Sequence, residues 1–203
     1  MKHIFTVLLL FMLLSCTKKD TWQNLVDAEI EDLETQEDQK AYLVKLYNNS
    51  EGVNQQIKEL ETNYFSNTRE IYKIRHKKDS LIPIDTYRAE RYLDKFPYPL
   101  SDDFSENEKL AIYFTILNEY REAEQVKYLD LFQELYDKKI LPKDHYLGYL
   151  SKIYYLTYTK FYHFDRRHSI DEMIKDIYPE ITAIRKNLAG DDHKLLQQKD
   201  LDG

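Results

Sequence analysis

The sequence predicts an all-α protein, an irregular bundle of about five to six helices that follows an N-terminal signal peptide. The 203 residues include only four glycines and five prolines, so long helices with few tight turns are expected. Several stretches place apolar residues at helical spacing, and none alternates apolar and polar residues as a half-buried strand does. With 42% hydrophobic and 32% charged residues, the chain has room for one helical domain, expected over residues 22–190.

The N-terminus has the pattern of a bacterial lipoprotein signal. Lys2 precedes an apolar run at residues 4–14 that is too short for a stable membrane anchor and typical of a secretory signal peptide. Residues 13–16 (LLSC) resemble the lipobox of bacterial lipoproteins, in which the bond before the cysteine is cut and the cysteine receives acyl chains such as palmitate. The resemblance implies a signal peptide at 1–15 and lipid attachment at Cys16, the only cysteine. The alternative is an ordinary signal peptide that contains a cysteine.

Residues 16–21 form the predicted lipidated tether. Thr17 stands where an aspartate would resemble an inner-membrane retention signal, so the lipoprotein resemblance favours the outer membrane. An acidic run resembling a surface-export signal is missing after Cys16, which favours a position facing the periplasm. We expect the membrane contact to depend on the acyl chains, because a net charge of −7 gives no attraction to anionic headgroups.

The first part of the domain contains two helical patterns. Apolar residues keep helical spacing from Trp22 to Leu33 and continue more weakly to Tyr47, before a predicted stop at residues 48–52. The next pattern has the steps of three and four that are typical of a helix packed on another helix. Its members are Val53, Ile57, Leu60, Tyr64, Ile71 and Ile74.

Prolines and capping boxes mark the helices of the second part. Pro83, followed by two more prolines, predicts a break that leaves a short helix over residues 85–95. A capping box at 105–108 (SENE) begins a helix expected to reach about Tyr136. Another helix is expected from Pro142 to about Phe164.

The last helix begins at a second capping box, residues 169–172 (SIDE). Pro179 is expected to kink or restart it, and Gly190 to end it as a C-cap. Residues 191–203 then form a polar tail.

Composition excludes several classes of chemistry. The four glycines are too far apart for either phosphate-binding glycine motif, and one cysteine cannot form an internal disulfide. The net charge of −7 and the absence of a G-x-S-x-G motif argue against nucleic-acid binding and a serine hydrolase. We expect no cofactor.

Tyrosine is unusually frequent, with 18 in the chain and six of them between residues 146 and 162. Their rings point to all sides of the predicted helix, which is typical of a buried helix whose hydroxyls reach polar partners. The alternative is an aromatic binding surface for a glycan, a peptide or a partner helix. Its candidate residues are Tyr149, Tyr155 and Tyr162.

His163, Asp165 and His168 have ligand types that zinc uses. Two arginines between them would repel a cation, and polar residues are expected just before a capping box. The sequence therefore predicts no metal site here.

Short motifs occur in order along the domain at residues 35–39 (TQEDQ), 95–99 (KFPYP) and 127–129 (KYL). From Leu33 to Leu188 this order resembles an uncharacterised family of bacterial helical domains, a domain-of-unknown-function family in which lipoprotein signals occur. That family carries a Gln-His or His-His pair on a later helix, whereas residues 115–119 (TILNE) contain no histidine. The resemblance implies the helical fold and the lipoprotein context, and it carries no activity to this chain.

These observations predict a lipid-anchored cell-envelope protein that acts as a non-enzymatic binding or accessory module for a protein partner. One alternative is an immunity lipoprotein, whose acidic helical domain neutralises a toxin through a charged interface. The other is an enzyme whose site has no recognisable motif.

Overall fold

The computed structural model describes residues 21–62 and 68–201, with side chains over 22–62 and 68–189. Within these ranges the protein is a bundle of α-helices without strands. Cys16 and Tyr64 lie outside the described residues. No helix in the described ranges combines the length and the apolar character needed to cross a bilayer.

The N-terminal part contains three helices and a π-helical turn. Thr35 and Asp38 form a capping box, in which the Thr35 backbone N–H donates to Asp38 Oδ2 at 2.9 Å, so the predicted weak continuation is a separate helix. The predicted stop after it is instead a π-helical turn, where Ser50 Oγ donates to the Leu46 carbonyl at 2.8 Å. The elements are α1 (Thr21–Glu31), α2 (Gln36–Tyr47), the π-helical segment (Asn48–Gly52) and α3 (Val53–Thr62).

The next helix, α4 (Thr68–Lys95), runs through Pro83, so the predicted break at this proline is wrong. Pro83 is exposed, and its missing N–H removes a bond only on the solvent side, while Ile82 and Asp85 beside it are buried. Helix α1 lies along α4, and Arg88 Nε donates to Glu29 Oε2 at 3.1 Å.

The long helix predicted to follow residues 105–108 is three helices: α5 (Glu106–Leu117), α6 (Glu122–Val126) and α7 (Leu129–Asp137). Its predicted start is confirmed, because the Ser105 backbone N–H donates to Glu108 Oε2 at 2.6 Å. The helix stops after α5 because the Glu119 carboxylate accepts the backbone N–H groups of Tyr120 and Arg121, both at 2.9 Å. The bundle therefore has more helices than the five or six predicted.

Two long helices complete the fold: α8 (Lys143–Tyr158) and α9 (Ile170–Leu201). Helix α8 ends before Phe164 because Thr159 has a left-handed backbone with φ of 55°. The capping box before α9 is confirmed by the Ser169 N–H, which donates to Glu172 Oε2 at 2.7 Å. Helix α9 continues through Pro179, which is exposed, and through Gly190, so a restart at Pro179 and a C-cap at Gly190 are both wrong.

Tyrosines form much of the core. Tyr146 and Tyr149 are fully buried in α8, and the Tyr146 hydroxyl donates to Gln133 Oε1 at 2.6 Å. The Tyr113 hydroxyl donates to the His145 carbonyl at 2.8 Å, so buried phenols have hydrogen-bond partners as their burial requires. Of the six tyrosines between residues 146 and 162, Tyr146 and Tyr149 are buried, Tyr154 and Tyr162 are half-buried against the core, and Tyr155 and Tyr158 are exposed, so the predicted burial holds for one side of α8 only.

Candidate functional site

Tyr149, one of the three residues predicted for a binding surface, belongs to the core. Its side chain is 0% exposed, its ring packs edge-on against Phe132 at 4.8 Å, and its hydroxyl donates to the Gln125 carbonyl at 2.5 Å. Because α8 is covered on the side that carries Tyr149, this residue has no access to a partner.

Tyr155 lies on the exposed side of α8 and stacks on Phe161, with 5.0 Å between ring centroids and 27° between ring planes. Phe161 is 83% exposed, an unusual position for a residue of this size. Tyr158, one turn after Tyr155, is also exposed. We call Tyr155, Tyr158 and Phe161 the aromatic face.

Tyr162, the third predicted residue, adjoins Phe161 in the segment after α8. It is half-buried, packs on Tyr154 at 5.1 Å between ring centroids, and donates its hydroxyl to the Asp176 carbonyl at 3.2 Å. Through these contacts Tyr162 ties the segment after α8 to α9, and so fixes the backbone next to Phe161.

One basic side chain lies beside the aromatic face. Lys160 is exposed, and its Nζ lies 5.6 Å from the centre of the Tyr158 ring. Arg167 pairs with Asp165 at 2.6 Å and lowers the pKa of that carboxyl to about 2. The face is thus apolar at its centre and carries a cation, Lys160, at its edge, although the whole chain is acidic.

The two histidines considered for a metal site lie in different environments, one beside a carboxylate and one exposed to solvent. His168 Nδ1 lies 2.7 Å from Asp176 Oδ2, a contact that raises the pKa of His168, while Asp165 is engaged by Arg167. His163 is exposed. Across the described side chains, no group of three or more His, Cys, Asp or Glu residues is arranged to hold a metal ion.

A buried polar cluster that the sequence analysis missed lies where α5 ends. Glu119 is 3% exposed and accepts hydrogen bonds from Thr86 Oγ1 at 3.2 Å and from Arg121 Nη2 at 2.8 Å. Burial alone would raise the pKa of Glu119, but its contacts with Arg121 and with backbone N–H groups outweigh that cost and lower it. Gln125 Nε2 donates to the backbone carbonyl of Glu119 at 2.7 Å, so this carbonyl, just after the end of α5, has a hydrogen-bond partner.

Two half-buried lysines lie near this cluster, on different helices. Lys78 on α4 donates to Asn54 Oδ1 at 2.6 Å, and Lys152 Nζ on α8 lies 5.0 Å from the centre of the Tyr120 ring. Burial lowers the pKa of both ammonium groups, and nearby carboxylates partly offset this effect, Asp79 for Lys78 and Glu119 for Lys152. The Tyr120 hydroxyl donates to Asp79 Oδ1 at 3.1 Å.

A cavity of about 260 Å³ opens beside Lys78. No motif marks the residues of this cavity in the sequence, because they come from α3, α4 and the turn after α5. The cavity is lined by Asn54, Ile57, Arg75, Lys78, Asp79 and Tyr120.

Comparison of the chain with protein-family models, with curated proteins and with solved structures finds no match. The resemblances to bacterial lipoproteins and to a family of uncharacterised helical domains therefore stay predictions from the sequence.

Proposed function

We propose that this protein is a lipid-anchored cell-envelope protein that acts as a non-enzymatic binding module. Its lipid anchor is Cys16, it belongs to the outer membrane with its helical domain in the periplasm, and it holds a protein partner against the aromatic face. The observation that supports the binding role is the stacked pair of Tyr155 and Phe161, with Phe161 83% exposed.

The physical argument rests on the burial of aromatic area. Phe161 and Tyr155 expose apolar surface whose transfer from water stabilises a complex by about 25 cal/mol per Å² before the cost of association. The rings are already stacked, and Tyr162 fixes the adjacent backbone through its bond to Asp176, so little side-chain freedom is lost on binding. Aromatic residues in such positions supply much of the energy of protein interfaces.

The edge of the face indicates the charge of the partner. Lys160, beside the Tyr158 ring, is an exposed cation, and no carboxylate lies within 4.0 Å of it in the described part of the chain. A partner surface that is apolar at its centre and acidic at its edge complements this arrangement.

The binding role is tested by co-purification from detergent-solubilised envelopes. Phe161→Ser together with Tyr155→Ser should remove a protein that the unaltered chain retains, without lowering the melting temperature by more than a few degrees. Tyr72→Ser is the matched control, because Tyr72 is 68% exposed and lies on α4, away from the face. Equal retention by all three proteins would contradict the proposal.

The anchor is tested separately. Cys16→Ala should abolish incorporation of labelled palmitate and move the protein from the membrane to the soluble fraction. Membrane association of the Cys16→Ala protein equal to that of the unaltered protein would exclude Cys16 as the anchor.

A further inference from the structure

We propose that one side of α1, formed by the exposed residues Asn24, Leu25 and Ala28, lies against the lipid bilayer. We call these three residues the outer face of α1. The inference rests on the proposed function, because it takes Cys16 as the lipid anchor.

The short chain between the anchor and the helix keeps α1 near the bilayer. Helix α1 begins at Thr21, and Cys16 stands five positions before it. Even a fully extended chain of that length spans only about 17 Å, so the first turn of α1 stays close to the acylated cysteine. A tether this short gives the helix a high local concentration at the membrane surface, and a weak attraction is then enough for contact.

The outer face of α1 carries no charge. Asn24, Leu25 and Ala28 are exposed, and their spacing places them on one side of the helix. Leu25, the largest apolar side chain of the three, is 63% exposed. Glu31 is also exposed, but it ends α1 on the side away from the tether. A bilayer can therefore approach the outer face without removing water from an ionised group, which would be costly.

The acidic residues in the middle of α1 are bound to basic side chains of the neighbouring helices. Asp27 accepts a hydrogen bond from Arg91 Nε on α4 at 2.9 Å. Glu29 accepts from Arg88 Nε on α4 at 3.1 Å and from Lys45 Nζ on α2 at 3.0 Å. These ion pairs hold the carboxylates of α1 against the bundle, and so keep negative charge off the side that we assign to the membrane.

Trp22 lies at the end of α1 next to the tether. It is half-buried, and its ring packs edge-on against Tyr87 with 5.5 Å between ring centroids. Tryptophan is enriched at membrane–water interfaces, where its ring lies at the level of the lipid headgroups. Because Trp22 is the only tryptophan of the chain, its fluorescence reports on this end of α1 alone.

Quenching of Trp22 fluorescence by brominated lipid tests the proposal. The purified lipidated protein is reconstituted into vesicles of phosphatidylethanolamine and phosphatidylglycerol, with or without bromine on the acyl chains near the headgroups. We expect lower fluorescence in the brominated vesicles, because bromine quenches an indole only at short range. Equal fluorescence from protein that floats with both kinds of vesicle would overturn this inference and leave the anchor in place. Protein that does not float with the vesicles would overturn the anchor, and this inference with it.

Two aspartate substitutions assign the contact to the outer face. Leu25→Asp places a charge in the middle of the face and should reduce the quenching, while Cys16 still holds the protein on the vesicles. Leu100→Asp is the matched control, because Leu100 is a leucine 41% exposed in the segment after α4, outside α1. Unchanged quenching in Leu25→Asp, or an equal reduction in Leu100→Asp, would overturn the assignment.

A third variant separates the loss of membrane contact from a loss of structure. Leu25→Phe keeps the face apolar and should keep the quenching. Because Leu25 is mostly exposed, both Leu25 variants should melt in detergent within a few degrees of the unaltered protein. Loss of quenching in Leu25→Phe as well as in Leu25→Asp would overturn the proposal, since an aromatic ring favours the same contact with lipid.

Discussion

Glu119 accepts a hydrogen bond from the Thr86 hydroxyl at 3.2 Å, and this contact joins the turn after α5 to the second half of α4. Both residues are buried, and Arg121 donates to both carboxylate oxygens of Glu119. The same carboxylate accepts the two backbone N–H groups that end the helical run. One side chain thus decides both where α5 stops and how α5 sits against α4.

Glu119→Gln is expected to destabilise the protein by about 1–3 kcal/mol, since the amide replaces one acceptor oxygen by a donor and leaves buried groups unpaired. Arg121→Gln should also destabilise the protein, because it leaves the buried Glu119 carboxylate without its counter-charge. Chemical denaturation of both variants measures the two losses. Unchanged stability in either variant would contradict the role given to Glu119.

The contribution of Glu119 to the stability of the fold should also depend on pH. Because its pKa is lowered in the folded state, the stabilisation is complete above the ordinary value of 4.5 and is lost as the pH falls through the lowered pKa. The stability difference between the unaltered protein and Glu119→Gln should therefore be constant at neutral pH and shrink in acid. A difference that grows as the pH falls would exclude this explanation.

Two tyrosines of α8 should lose very different amounts of stability when they are replaced by alanine. Tyr149→Ala removes a fully buried ring and is expected to cost about 3–5 kcal/mol, as for other large core residues. Tyr155→Ala removes an exposed ring and should cost less than about 1 kcal/mol. Urea denaturation of the two variants measures both losses of unfolding free energy. Similar losses would show that Tyr155 is part of the core.

Buried phenols should make the fold sensitive to alkali. Burial raises the pKa of Tyr92 from 10.0 to about 12, so the folded state keeps a proton that the unfolded chain releases. This contribution is complete below pH 10 and is lost as the pH rises towards 12. Tyr92→Phe should therefore flatten the fall of stability with pH in that window, and an unchanged slope would exclude Tyr92 as a cause.

The sequence predicted the fold class and those helix starts that depend on local contacts. The capping boxes at 105–108 and 169–172 need only residues three apart, so their pattern is visible in the chain. The sequence did not predict that α4 continues through Pro83, because this depends on Pro83 facing solvent while its neighbours are buried.

The functional features were harder to predict, for two physical reasons. Tyrosines surround α8 on all sides, so spacing alone could not tell buried Tyr149 from exposed Tyr155. Glu119 is one of 36 acidic residues, and its partner Thr86 lies 33 positions away in the chain.

Site-specific photocrosslinking in intact cells tests the proposed binding role most directly. A photoreactive phenylalanine analogue at position 161 should give one discrete adduct with an envelope protein, and the same analogue at position 72, an exposed tyrosine on α4, should not. The adduct at position 161 should also disappear when Tyr155→Ser is introduced, since Tyr155 forms the other half of the stacked pair. No adduct at position 161, or the same adduct from position 72, would contradict the proposal that the aromatic face holds a partner.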